Sequence, residues 1–304
     1  MQALTRHFRV IMALSLTLAC LTSPAMGQWY DDKEVPPGTG EMRNGFTLKN
    51  YDMGTGGNLS SWIAPGDDIL GLSFLVQGGY KFDQLPLFIG LQVPMAYASP
   101  DSDAVDPEFA IGNIGLGLKY RIDPANPRIG IHTGWSFDVF FPTFMGDTTD
   151  MAIGSRGMAQ STGFFNSLMT STHYNPESIN VQGAFDLVLP GHLLFFQLEV
   201  GVAAYFPISD IDQRSIEGGM LWGALVGVHI IEQLAFLVEF KGYTPFGVED
   251  EIGTAPPSLY GLSTGVRLNF GVFKPAVWVT FPLDEDYRSA WPDIIIGVDL
   301  AGWM

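Results

Sequence analysis

The chain has 304 residues and a formal net charge of −17, with 47% hydrophobic but only 15% charged residues. So few charges exclude an ordinary soluble surface, where charged residues approach about 25% of the chain. Beyond the N-terminus no apolar run nears the ~18–20 residues of a spanning helix, so a helical membrane protein is excluded too. The acidic balance, with no basic cluster, excludes a nucleic-acid binder. Two classes remain: a soluble β-sandwich with a large core, or a β-barrel that crosses a membrane with its strands.

The N-terminus reads as an export signal. Arg6 and Arg9 precede the apolar run Val10 to Cys20, and Ser23-Pro24-Ala25-Met26-Gly27 offers small residues for cleavage after Gly27. Residues 1–27 are therefore expected to be a cleaved signal peptide. Removing them takes two arginines and no acid, so the charge becomes −17 − 2 = −19. Cys20 is the single cysteine, so the mature chain has no disulfide; Thr17-Leu18-Ala19-Cys20 is also an imperfect lipidation box. Residues 28–43 are polar and bear Pro and Gly, as a periplasmic tail or a segment inside a lumen, and residues 44–304 are expected to form the barrel.

A first, weakly marked strand is read at Asn44–Tyr51, followed by the glycine-rich Gly54–Gly57. Clearer strands follow near Ile69–Lys81, Leu85–Pro94, Phe109–Ile122, Arg128–Phe141, Ile179–Leu189 and Leu193–Phe206. The last are near Gly219–Ile230, Leu234–Tyr243, Leu259–Phe270, Phe273–Phe281 and Ile294–Leu300. The total is about twelve, an even number as in bacterial single-chain barrels. The hairpin Glu108–Pro142 shows the pattern best. In Ile114-Gly115-Leu116-Gly117-Leu118-Lys119-Tyr120-Arg121-Ile122 apolar residues alternate with small or polar ones, and in the returning arm Ile129, Ile131, Thr133, Trp135, Phe137, Val139 and Phe141 alternate with Gly130, His132, Gly134, Ser136 and Asp138. A strand places successive side chains on opposite faces, so each arm has one greasy face.

The connections alternate short and long. Short ones fall at Phe82–Gln84, Asp123–Pro127, Pro190-Gly191, Glu232-Gln233 and Gly271-Val272, and long ones at Met95–Pro107, Thr143–Ser178, Ile208–Gly218, Pro245–Ser258 and Pro282–Asp293. Short periplasmic turns and long external loops give that rhythm. Strands rising into long loops end at Pro94, Pro142, Pro207, Pro245 and Pro282, where the missing N–H suits the end of a ladder. Tyr97, Tyr243, Phe246 and Trp291 are expected at the outer headgroup level, and Tyr80, Phe82, Tyr120, Phe270 and Phe273 at the inner one. The expected fold is all-β: a single antiparallel up-and-down transmembrane barrel.

At Ile111-Gly112-Asn113-Ile114-Gly115-Leu116-Gly117-Leu118-Lys119-Tyr120-Arg121 and the Phe-Pro-Thr end of the returning strand, the chain resembles the outer-membrane proteins named for the meta-pathway of phenol degradation. Their architecture is related to that of hydrophobic-compound transporters such as the long-chain fatty-acid channel. The resemblance implies a transmembrane barrel that passes small, hydrophobic molecules. Where that family continues Pro-Thr-Gly-Asp, this chain has Pro142-Thr143-Phe144-Met145-Gly146-Asp147, and it ends in Met304 rather than Phe or Trp.

If the greasy faces meet lipid, the other parity faces the lumen. That places Lys119, Asp138, Asp186, Glu199, Glu239, Lys241, Arg267 and Asp299 inside, either as an electrostatic constriction or as salt bridges filling a narrow lumen. Leu193, Phe195, Tyr205, Leu221, Leu225 and Leu237 form an apolar strip there, to conduct a hydrophobic permeant or to pack. His132, Ser136 and Asp138 share one face of one strand, but four residues at ~3.3 Å hold His132 about 13 Å from Ser136, too far for a nucleophile and its base. The loop acids Asp101-Ser102-Asp103, Glu249-Asp250-Glu251 and Asp284-Glu285-Asp286 lack calcium-loop spacing and read as solvated charge. The loop Met151–Ser171 reads as an inward plug or a mobile segment.

The expected function is an outer-membrane channel or passive transporter of a Gram-negative-type bacterium, for small molecules, hydrophobic ones included. The alternatives are a structural or surface-interaction barrel with a closed lumen and, behind it, a barrel-embedded lipid hydrolase. Expected partners are outer-membrane lipid and lipopolysaccharide, the barrel-assembly machinery and a small permeant, with no cofactor and no metal.

Overall fold

Thirteen strand segments follow one another with no helix between them among the described residues. The computed structural model describes residues 56–65, 69–82, 85–100, 108–122, 131–143, 178–189, 193–208, 217–231, 233–246, 258–284 and 294–303. The segments are β1 (Gly56–Pro65), β2 (Ile69–Lys81), β3 (Leu87–Pro100), β4 (Glu108–Ile111), β5 (Ile114–Ile122), β6 (His132–Phe141), β7 (Ser178–Leu189), β8 (Leu194–Pro207), β9 (Glu217–Ile231), β10 (Leu234–Phe246), β11 (Leu259–Leu268), β12 (Phe273–Pro282) and β13 (Ile295–Trp303).

Each segment pairs antiparallel with its sequence neighbour, and β1 also pairs with β13, so the ladder returns to its start. β4 and β5 both pair with β3, and together they make one strand interrupted at Gly112-Asn113. Among the described residues the ring therefore has twelve antiparallel strands.

The two faces of the ring differ as the period-two pattern requires. On β6, His132, Gly134, Ser136, Asp138 and Phe140 are buried, while Trp135, Phe137 and Phe141 are exposed. Leu116 on β5 is 51% exposed and Val200 on β8 52%. A row of large apolar side chains in the open, with charged ones buried, inverts the arrangement of a soluble protein. Two stacked sheets would have hidden the Leu116–Leu118 row; here it lies outside.

Several boundaries differ from the expected ones. Asn44–Tyr51 lies outside the described residues. The first described strand is β1, which begins in the glycine-rich Gly54–Gly57 and runs on through residues to which the sequence pattern assigns no strand; its serines and glycines dilute the apolar alternation. β3 does not stop at Pro94 but runs to Pro100. Proline is tolerated there because the neighbouring strand breaks at that level, between the pairs Gln92↔Gly115 and Met95↔Ile111, and the Pro94 carbonyl accepts from the Gly112 N–H at 2.8 Å. β10 likewise passes Pro245 to end at Phe246. Pro207 and Pro282 do close their strands, and Pro142 follows directly on β6.

At the short-turn end, Tyr80, Tyr120, Phe270 and Phe273 are exposed, and Tyr80 meets Phe82 edge-on at 5.3 Å. The Phe270–Phe273 turn needs Gly271 at φ 75°, and the Asn269 side-chain oxygen accepts its N–H at 2.9 Å. Tyr243 is a correction: it faces the interior and is buried, not at the headgroup level. Trp291, residues 1–43, the 144–177 loop, and the loop acids except Asp284 lie outside the described residues.

Candidate functional site in the ring interior

The alternation carries every charged residue expected inside to the interior face. Asp138, Asp186, Glu199, Glu239, Lys241, Arg267 and Asp299 are all buried, and Lys119 shares the inward row of Ser136 and Ala184. They do not form one cluster. Among the described residues no three His, Cys, Asp or Glu stand close enough to hold a metal ion.

Three arrangements organise them. In the first, one register row runs Arg121–Gly134–Asp186–Glu199–Gly223–Lys241 from β5 to β10. Two adjacent acids are thus flanked by a base on either side, each one glycine away; Gln197 Nε2 donates to Asp186 Oδ1 at 3.4 Å. In the second, Arg267 Nη1 lies 3.4 Å from Asp299 Oδ2, across Ala276 of the intervening strand. The third is a chain of side chains: Gln77 Nε2 donates to Gln92 Oε1 at 3.2 Å, and Gln92 Nε2 donates to Asp138 Oδ1 at 3.0 Å. Nearby, Lys119 Nζ lies 5.6 Å from the centre of the Phe88 ring.

Most residues of the expected apolar strip are buried together. Phe195, Tyr205, Leu221, Leu225 and Leu237 join one buried interior cluster with Trp278 and Ile295. Leu193 does not; it is exposed just ahead of β8. Trp278 was missed, although it has the parity of Lys274 and Thr280 and is buried to 1% exposure. The cluster's spine is the row Phe195–Gly227–Leu237–Gly265–Trp278–Gly297, across β8 to β13. A methyl on Gly227 would overlap the Phe195 ring, and one on Gly297 the Trp278 indole. The large rings therefore lie against the wall, over glycines of the neighbouring strand. Toward the long-loop end, Tyr205 and Tyr243 share a hydroxyl–hydroxyl hydrogen bond of 3.2 Å, and Tyr243 Oη also donates to the Gly218 carbonyl at 3.4 Å.

His132, Ser136 and Asp138 are all buried and inward. Ser136 is four positions along the extended strand from His132, and His132, Ser136 and Asp138 all point away from the exposed apolar band.

No family model matches the chain, and no curated protein matches it. Among solved structures it is similar to the COG4313 outer membrane channel from Pseudomonas putida F1, with a TM-score of 0.54 over 84% of this chain and 100% of that one, at 10% identity. The chain has the fold of an outer-membrane β-barrel. Its strands also align with the NanC porin (TM-score 0.48, 7% identity, 82% of this chain and 100% of that one) and with the KdgM porin (0.42, 10%, 81% and 99%). The exposed band of this barrel is the face that such a fold turns to hydrocarbon, and its buried face encloses the lumen.

Proposed function

We propose that the barrel sits in the outer membrane as a passive channel for small molecules, and that its permeants are apolar or amphipathic. One observation carries this reading: the inward apolar row Phe195–Leu237–Trp278 crosses β8 to β13 without a charged residue, with charged rows on its borders. The Phe195 ring and the Trp278 indole lie against the wall, over Gly227 and Gly297. The resemblance of residues 111–121 to the meta-pathway proteins supports the same substrate class. On this reading residues 1–27 are the cleaved export signal, outer-membrane lipid and lipopolysaccharide surround the exposed band, and the barrel-assembly machinery inserts the chain.

Planar-bilayer recording of the purified protein, with uptake of apolar solutes into liposomes, tests the proposal. Stepwise conductance is the expected result; absence of both conductance and uptake discards the channel.

A second reading has its own support. Asp138, His132, Glu239 and Leu237 have no water-accessible surface in this structure. A permanently filled lumen would make the barrel a structural or surface-interaction protein, silent in bilayers whatever the applied voltage.

A further inference from the structure

The bond between Gln92 and Asp138 joins two strands that are not neighbours. β3 and β6 are separated by β5, and the residue of β5 in register with Asp138 is Gly117. A methyl group built on Gly117 would overlap Asp138 Oδ1 and stand 3.6 Å from Gln92 Nε2. The carboxylate thus occupies the space of the missing side chain, lying across the backbone of β5 to reach the amide. Gln77 continues the same line on β2. Asp138 has no exposed surface, and Gln92 is 9% exposed.

We infer that Gly117 is a specificity-determining position of the channel: it seats the Asp138 carboxylate on the wall, so that the negative charge is held by the Gln92 amide and withheld from a permeant. Any side chain at 117 returns that charge to the lumen, where small cations and ammonium-bearing molecules meet it. The inference rests on the channel reading. It also explains why Asp138, alone among the interior acids, faces glycine in register on β5 and glutamine, Gln182, on β7. The displaced atom is the far end of a flexible side chain, so the change leaves the ladder intact.

The test is the reversal potential of the full-length protein in planar bilayers under a potassium chloride gradient. Gly117→Ala is expected to move it toward the potassium equilibrium potential, and Asp138→Asn added to that variant is expected to move it back. Gln92→Leu removes the amide donor without adding bulk at 117, and is expected to shift the potential in the same direction. Conducting Gly117→Ala and Gln92→Leu channels with the wild-type potential overturn the inference and leave the channel standing. A wild-type protein that never conducts overturns both.

Discussion

Arg267 and Asp299 meet at 3.4 Å although their strands are not paired, because Ala276 on the strand between them is too small to keep them apart. Both side chains are at most 5% exposed, and the ion pair offsets part of their desolvation. Arg267→Met takes the guanidinium away from a buried carboxylate and is expected to cost about 3–5 kcal/mol. Adding Asp299→Leu should recover most of that loss. Urea midpoints of the protein refolded in lipid vesicles read both, and a double variant as weak as the single one would show that the pair is not what holds this corner.

The glycines under the rings predict a graded series. Ala at Gly227 or Gly297 drives a methyl into Phe195 or Trp278, both buried rings that must shift to admit it. A loss of about 1–3 kcal/mol is expected at each. Gly302→Ala meets nothing within 4 Å and should stay within about ±0.5 kcal/mol of wild type. Gel mobility after graded heating separates the two groups.

Leu118 is 44% exposed on the outer face of β5. Arg there would cost about 2–4 kcal/mol near the bilayer midplane, whereas the same change on a water-facing strand is nearly free. The unfolding midpoint in vesicles decides it: an unshifted Leu118→Arg would mean that this face does not meet hydrocarbon.

Tyr205→Phe and Tyr243→Phe each remove one hydroxyl of a buried pair, with an expected cost of about 0.5–1.5 kcal/mol. Because the two share one bond, the double variant should lose less than the sum. Strict additivity in unfolding experiments would show the hydroxyls to be independent.

Much of the wall was legible in the sequence because its rule is local. Leu116, Leu118 and Tyr120 alternate with Gly117, Lys119 and Arg121, and that alone assigns two faces. The same rule, applied to Tyr243 two residues after Lys241, would have turned the tyrosine inward; nearness to a proline misplaced it. Trp278 was readable by parity with Thr280. What could not be read was anything that depends on register across strands. Neither the meeting of Arg267 with Asp299 nor the reach of Asp138 over Gly117 follows from spacing along one strand. Pro94 escaped for a related reason, since its tolerance comes from a break in another strand.

Ser61 donates to the Val298 carbonyl across 237 positions of chain, at the seam where the first described strand meets the last. Every other ladder in the ring can form between segments adjacent in sequence, but this one waits for nearly the whole polypeptide. Until the final segment arrives, β1 and β12 each present a bare edge, the kind of template that captures a second molecule. The last stitch, rather than any hairpin, is thus the slow and hazardous moment in making this protein. A chain shortened by its final strand would be trapped there, as an open curl with two sticky borders.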